Sequence, residues 1–280
     1  VVFDAETNRI SIELTGEVGA KVEVTVDAED EKVGTGTQRR LLPVRREGTL
    51  DFSAIEEGRR RLETYFQEQG YFFAEVTPIC SVEPKFTEEE ASYTENETEI
   101  LCSALSGAEL MNRTVNIRYQ ADLNRRLRLV AIRIEGTDRL PIEEIKPVLK
   151  SQEASALGII PFLGYGRGYT SLELLNDDRV TIQSLMRELG YRDAVVSVRQ
   201  GVSPNGEDLI ITFVVDEGRL TRIEEVDIVG NLAFTDDELK AQMPELVGKN
   251  LSRARLRNGQ RQLSEFYANQ GYYDAKISFA

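Results

Sequence analysis

The sequence predicts an α+β chain built from tandem β-α-α-β-β repeats. Three observations lead there. A Gly-Tyr pair recurs at Gly70-Tyr71, Gly190-Tyr191 and Gly271-Tyr272. An apolar pattern of helical period precedes each pair, and a period-two alternation follows it. A unit that returns in the same internal order is the mark of a repeat architecture.

Taken in chain order, residues 1–15 read as a hairpin: Val1-Val2-Phe3, a turn near Thr7-Asn8, then Arg9 to Leu14. Lys21 to Val26 is the first strand of the first full copy. A long helix follows, with Ser53 and Glu56 forming a capping box at its start. Its residues Ile55, Leu62, Tyr65 and Phe66 align without gaps with Leu175, Ile182, Leu185 and Met186, and with Leu256, Leu263, Phe266 and Tyr267. Spacings of 7, 10 and 11 residues put these side chains on one helical face. Glu57, Arg60, Arg61 and Glu63 take the opposite face. The glycines at 70, 190 and 271 fall where a helix end needs a left-handed residue.

After each Gly-Tyr comes a strand that is apolar on one side. Ala74 and Val76 correspond to Ala194, Val196 and Val198, and to Ala275, Ile277 and Phe279. The other side carries Glu75, Arg192, Ser197, Lys276 and Ser278, with Val195 as an apolar exception. Val130 to Gly136 aligns with Glu224 to Gly230 as the opening strand of the later copies. Short helices are expected from Leu140-Pro141 to Leu149 and from Phe234 to Met243, with proline tolerated near a helix start. Asn112 to Tyr119 and Leu209 to Val215 close two copies as last strands, the latter after the turn Asn205-Gly206.

The expected division is 1–18 as the closing hairpin of a preceding repeat, then repeats at 19–124, 125–220 and 221–280. An acidic insertion, 84–112, interrupts the first repeat, and a loop insertion, 155–168, the second. Tyr272 to Ala280 has no further strand after it, so the chain reads as a fragment of a longer protein.

Composition narrows the function. The 280 residues carry a formal net charge of -14, which argues against nucleic acid as a partner. The start shows no basic segment followed by an apolar one, so any signal peptide is removed or lies outside this sequence. No apolar run is long enough to cross a bilayer as a helix. Histidine is absent, which removes the commonest general base and zinc ligand. Acidic pairs are abundant, yet none recurs in a pocket-like context, and the chain is read as a non-enzyme without cofactor or metal. The acidic run around Glu88-Glu89-Glu90 lacks the spacing and turn glycine of a calcium loop. Gly164, Gly166 and Gly168 follow no buried strand, so they are not a dinucleotide fingerprint. The two cysteines, Cys80 and Cys102, either form one disulfide or stay free.

These units resemble POTRA domains, the periplasmic repeats of the BamA/TamA-like outer-membrane barrel-assembly family. The resemblance rests on residues 53–76, 173–196 and 254–277, on Val226 to Asn231 followed by Phe234-Thr235, and on Leu42 to Leu50. It implies a three-stranded mixed sheet in each repeat, covered on one face by two helices. It further implies a periplasmic location, a C-terminal membrane barrel, unfolded outer-membrane proteins as clients and accessory assembly proteins as partners. Phe73 stands where the other copies have Asp193 and Asp274, and Gly136-Thr137 where the third has Gly230-Asn231, which leaves the subfamily open. A two-partner secretion transporter, another polypeptide-translocating barrel or a structural spacer are the alternatives.

A short sheet has edges that accept an added strand. The resemblance puts the strand after Gly-Tyr at such an edge, so residues 71–77, 191–198 and 272–279 are the expected client sites. Phe73, Glu75, Val195, Ser197, Lys276 and Ser278 are the candidate contacts. Proline at Val195 or Lys276 is expected to weaken strand addition while sparing the fold. Phe73 either meets a client or packs against a neighbouring repeat or the insertion. Phe162, Leu163 and Tyr165 either dock a partner or fold back over their own repeat. In an oxidising periplasm, Cys80 and Cys102 are expected to pair.

Overall fold

In the computed structural model of the chain, the described residues are 2–4, 9–14, 19–29, 31–48, 50–85, 102–105, 110–154 and 168–279. Phe162, Leu163 and Tyr165 lie outside them, as does most of the acidic insertion. The chain divides into two compact units. One holds Val1–Phe66 and Phe73–Asn124, the other Gln67–Phe72 and Arg125–Ala280.

The first unit opens with a short antiparallel ribbon of β1 (Val2–Asp4) and β2 (Arg9–Ser11), with Phe3 opposite Ile10. Its sheet is made of β3 (Lys21–Asp27), β4 (Glu75–Glu83) and β5 (Thr114–Asp122), in the order β3-β5-β4. The strand that comes last in the chain therefore sits in the middle. It runs parallel to β3, from Lys21 opposite Thr114, and antiparallel to β4, from Glu75 opposite Asp122. A parallel partner needs a long crossover, and helices supply it. They are α1 (Thr35–Leu41), α2 (Pro43–Glu47) and α3 (Phe52–Glu68). The inward alternates of β5, Val115, Ile117, Tyr119 and Ala121, are buried. They share that burial with Ile55 and Leu62, two of the apolar positions expected on α3.

The second unit repeats this order. β6 (Arg128–Glu135), β7 (Val195–Val202) and β8 (Asp208–Asp216) form a sheet in the order β6-β8-β7. Helix α4 (Ile142–Ile145), extended by a 3-10 turn at Lys146–Val148, and α5 (Leu172–Glu188) lie between β6 and β7 in the chain. Leu209, Ile211, Phe213 and Val215 of β8 join Leu175, Ile182 and Met186 of α5 in one core. Further along come α6 (Asp236–Ala241), opened by a capping box of Thr235 and Glu238, and α7 (Arg253–Asn269).

One close approach shapes the first core. The Tyr119 hydroxyl donates to the Ile55 carbonyl at 3.1 Å inside helix α3. A Cβ at Gly58 would stand 2.6 Å from that hydroxyl, so only glycine fits there. At the aligned place in the second copy, phenylalanine (Phe213) faces α5 without a hydroxyl, and the helix carries Asp178 instead. Asp178 is fully buried and accepts the backbone N–H groups of Lys150 and Ser151 at 2.6 and 2.9 Å.

Three expectations are corrected. The cap of α3 is Asp51, whose carboxylate accepts from Ala54 N–H at 2.8 Å, and Ser53 lies inside the helix. An aspartate two residues earlier, at the cap position, reaches the third helical amide, so it outcompetes the serine. The repeat order implied a helix between β3 and α3 without giving its place, and the chain has two there, α1 and α2. α1 buries no residue and α2 only Pro43 and Val44, so neither has an apolar period to read. Residues 224–230 and 272–279 are not strands. Residues 225–230 and 275–279 of them line a cleft of about 740 Å³, whose walls include Val226, Ile228, Leu263 and Ile277. No described strand stands between them, so neither has the ladder partner that makes a strand.

Gly58→Ala is expected to lower unfolding stability by about 1–3 kcal/mol through overpacking against Tyr119. Tyr119→Phe in the same chain should recover part of the loss. Urea unfolding followed by circular dichroism measures both.

Candidate strand-addition edges

In an antiparallel pair, alternate residues turn both N–H and C=O toward the partner, and the residues between turn both away. Three bonds set that parity here. Val76 N–H donates to the Glu63 carboxylate at 3.2 Å, so Val76 faces away from β5. The Ala194 carbonyl accepts from the Gln183 side chain at 2.8 Å, so even-numbered residues face away from β8. Ser203 N–H donates to the Asp208 carbonyl at 3.0 Å, which turns odd-numbered residues toward it. The outward rows are therefore 76, 78, 80 and 82 on β4, and 196, 198, 200 and 202 on β7.

The outward row of β4 is broken. Glu63 holds the Val76 N–H, and Pro78 has none to offer. Cys80 is joined by a disulfide to Cys102, which opens a 3-10 turn at Cys102–Leu105. On β3 the Arg45 guanidinium donates to the Val24 carbonyl. On β6 the Glu153 carboxylate accepts from Ile132 N–H at 2.6 Å. Ala154 N–H donates to the Leu129 carbonyl at 2.7 Å, and Leu129 N–H donates to Gly168. On β7, among the described residues, nothing bonds the outward groups of Val196, Val198, Gln200 or Val202.

The named contact residues fall as follows. Phe73 is 40% exposed, and its carbonyl accepts from the Asn124 amide at 3.0 Å. Glu75 opens β4 opposite Asp122. Val195 is 58% exposed and Ser197 is exposed beside it, both on the face of β7 that Ala194 and Val196 leave. Val195 lies in the row that bonds β8, so proline there would break the sheet, contrary to the expectation that the fold is spared. Lys276 and Ser278 sit in irregular backbone at the cleft. Glu63, Pro78 and Gln183 were not singled out from sequence. Pro78 was legible as a proline within a period-two run.

Inside the second unit, two of the three Gly-Tyr turns are held in one way. The Gly70 carbonyl accepts from Leu127 N–H, and the Gly190 carbonyl from Thr221 N–H, each at 2.8 Å. Gly70 and Gly190 have φ of 101° and 104°, and an added Cβ would meet Tyr169 at 2.7 Å and Asn250 at 2.8 Å. Glu188, at the end of α5, accepts from the Ser252 hydroxyl and the Ala254 N–H, both at 2.9 Å, at the start of α7. The Ala254 amide, followed by the Ser252 hydroxyl and the charges of Arg257 and Arg253, holds its carboxyl below the usual glutamate range. Tyr272 instead packs edge-on against Phe234 and Tyr267.

The family model described as "POTRA: Surface antigen variable number repeat" matches residues 23–94, 128–218 and 221–280. Outer membrane protein assembly factor BamA of Nitratidesulfovibrio vulgaris is 27% identical over 157 residues, covering 55% of this chain and 19% of that protein. A putative outer membrane protein assembly factor of Treponema pallidum is 27% identical over 146 residues, covering 50% of this chain and 16% of that one. The matching part of the chain thus spans 19% or less of either relative's length. The crystal structure of Haemophilus influenzae BamA POTRA3-5 aligns with a TM-score of 0.49 at 17% identity, over 91% of this chain and 89% of that one.

Two measurements follow from this geometry. Because the folded Glu188 carboxyl titrates below its ordinary 4.5, its contribution is present above that pH and lost as pH falls through the lower folded value. Glu188→Gln is therefore expected to flatten the fall of the urea midpoint below pH 4.5. Cys102→Ser opens a link of sequence separation 22. Calorimetry should show a loss of about 3 kcal/mol.

Proposed function

The chain belongs to the POTRA repeat family, and on that premise we propose that it is the periplasmic receiving region of an outer membrane protein assembly factor of the BamA kind. Its repeats are 19–124, 125–220 and 221–280. It takes unfolded outer-membrane proteins by strand addition at a sheet edge and hands them to a membrane barrel C-terminal to the array. The work is binding, without catalysis or cofactor. The 155–168 segment, with Phe162, Leu163 and Tyr165, is the candidate contact for accessory assembly proteins.

The observation that carries this reading is the run of outward backbone groups on β7 at Val196, Val198, Gln200 and Val202. Backbone pairing recognises an extended chain with little demand on its side chains. That suits a receiver of many different barrel strands. The names of the two curated relatives, both assembly factors, support the same reading.

A photo-cross-linking side chain at Ser197, on β7, tests it against a control at Ser184, exposed on α5. The chain is mixed with a β-barrel outer-membrane protein diluted from urea. Capture from Ser197 and none from Ser184 is expected. Equal capture from both positions, or none from either, would leave the array as a spacer and overturn the proposal.

A further inference from the structure

We infer that β7 is the receiving edge and that β4 is interrupted, with one aligned position, Pro78 against Val198, accounting for one of the two donors that β4 lacks. The inference rests on the strand-addition reading above and names its site and its ligand. Pro78 and Val198 lie eight residues after Gly70 and Gly190. They also hold matching places in the ladders, opposite Tyr119 and Phe213. Both turn their backbone away from the middle strand. Val198 offers an N–H there, whereas Pro78 offers a ring carbon.

The helix residue beside each edge adds to the contrast. Glu63 and Gln183 are aligned. Glu63 takes the Val76 N–H at 3.2 Å, and so removes a second donor from β4. Gln183 instead bonds the Ala194 carbonyl, before β7 begins, and leaves the strand itself open. A strand added to β4 would lose two of its four outward donors, at 76 and 78. A strand added to β7 would find donors at 196, 198, 200 and 202.

The surroundings of β7 specify the ligand. Val180 is 46% exposed one turn before Gln183, on the side of α5 that reaches β7. Val202 is 45% exposed at the strand's far end, so an added strand meets apolar surface at alternate side chains. Arg179 and Arg187 flank Gln183 on the same helix face. β7 itself carries no carboxylate, and the charge of its Arg199 is taken up by Glu135 of β6 at 2.7 Å. The fitting ligand is an extended, proline-free segment, apolar at alternate positions, with neutral or acidic residues between and at its ends.

The test uses the whole chain and a fluorescein-labelled peptide of alternating valine and threonine ended by glutamates. Amide exchange is expected to slow at Val198, Gln200 and Val202 on adding the peptide, and to stay unchanged at Cys80 and Val82. Val198→Pro, which copies what β4 already tolerates, should weaken binding about tenfold, the value of one lost hydrogen bond to a desolvated partner. The same peptide ended by lysines should bind more weakly. Pro78→Val supplies a donor and breaks no bond, so Cys80 and Val82 should then gain protection. No gain would overturn Pro78 as the closing group. Protection of β4 in the unmodified chain, or unchanged binding after Val198→Pro, would overturn the choice of β7 while leaving strand addition standing. Protection of no strand amide would sink strand addition itself.

Discussion

A strand in the middle of a sheet must satisfy its N–H and C=O groups on both sides, and in this chain the middle place goes to the strand made last. β5 and β8 each take a parallel partner from the start of the repeat and an antiparallel partner just before them. The parallel pairing demands the helical crossover, and the antiparallel one makes the closing hairpin. The helices then cover the inward alternates of the middle strand. How tightly they do so is settled locally. Gly58 gives way to the Tyr119 hydroxyl in one core, while Asp178 ties down the preceding backbone in the other. Residues 224–230 and 272–279 show the same dependence from its opposite side. Without a described middle strand to pair with they have no ladder, although α6 and α7 form.

Placing the last strand in the middle leaves the first and second strands as edges, and unpaired edges invite indiscriminate association. The protein answers edge by edge. Arg45 takes one outward carbonyl of β3, Glu153 and the loop backbone cover part of β6, and Glu63 with Pro78 interrupts β4. Each device is a single side chain or a short loop. Among the described residues, β7 lacks such a device along its length. The two sheets share one architecture and differ in what their rims offer to another chain.

The turn after the long helix has a double duty. Gly70 and Gly190 need a left-handed backbone to end the helix, and their carbonyls then receive the N–H groups of Leu127 and Thr221. A side chain at either glycine would collide with Tyr169 or Asn250. Glu188 adds a charged cap for α7, linking this turn to the next long helix. The recurrent Gly-Tyr signal therefore reflects packing of the turn and not chemistry at a site.

Much of the repeat was readable before any coordinates. Periods of 3.6 and 2 follow from side chains facing a core, so Ile55, Leu62, Leu175 and Ile182 marked the long helices, and Val76 and Val196 the strands after them. Glycine at positive φ marked the turns for an equally local reason. The places of α1 and α2 were not readable, because neither carries an apolar period. The Asp51 cap and the non-strand state of residues 224–230 and 272–279 were not readable, because each depends on which partner a backbone group finds. The candidate site divides along the same line. The sequence by itself determined that β7 exists and that Ser197 and Val195 share its polar side. Only the tertiary structure decided that the outward row is 196, 198, 200 and 202, that Glu63 and Gln183 lean on different groups, and that Val195 belongs to the bonded row. Strand parity is set by hydrogen bonds between distant segments, and no local period in the chain encodes it.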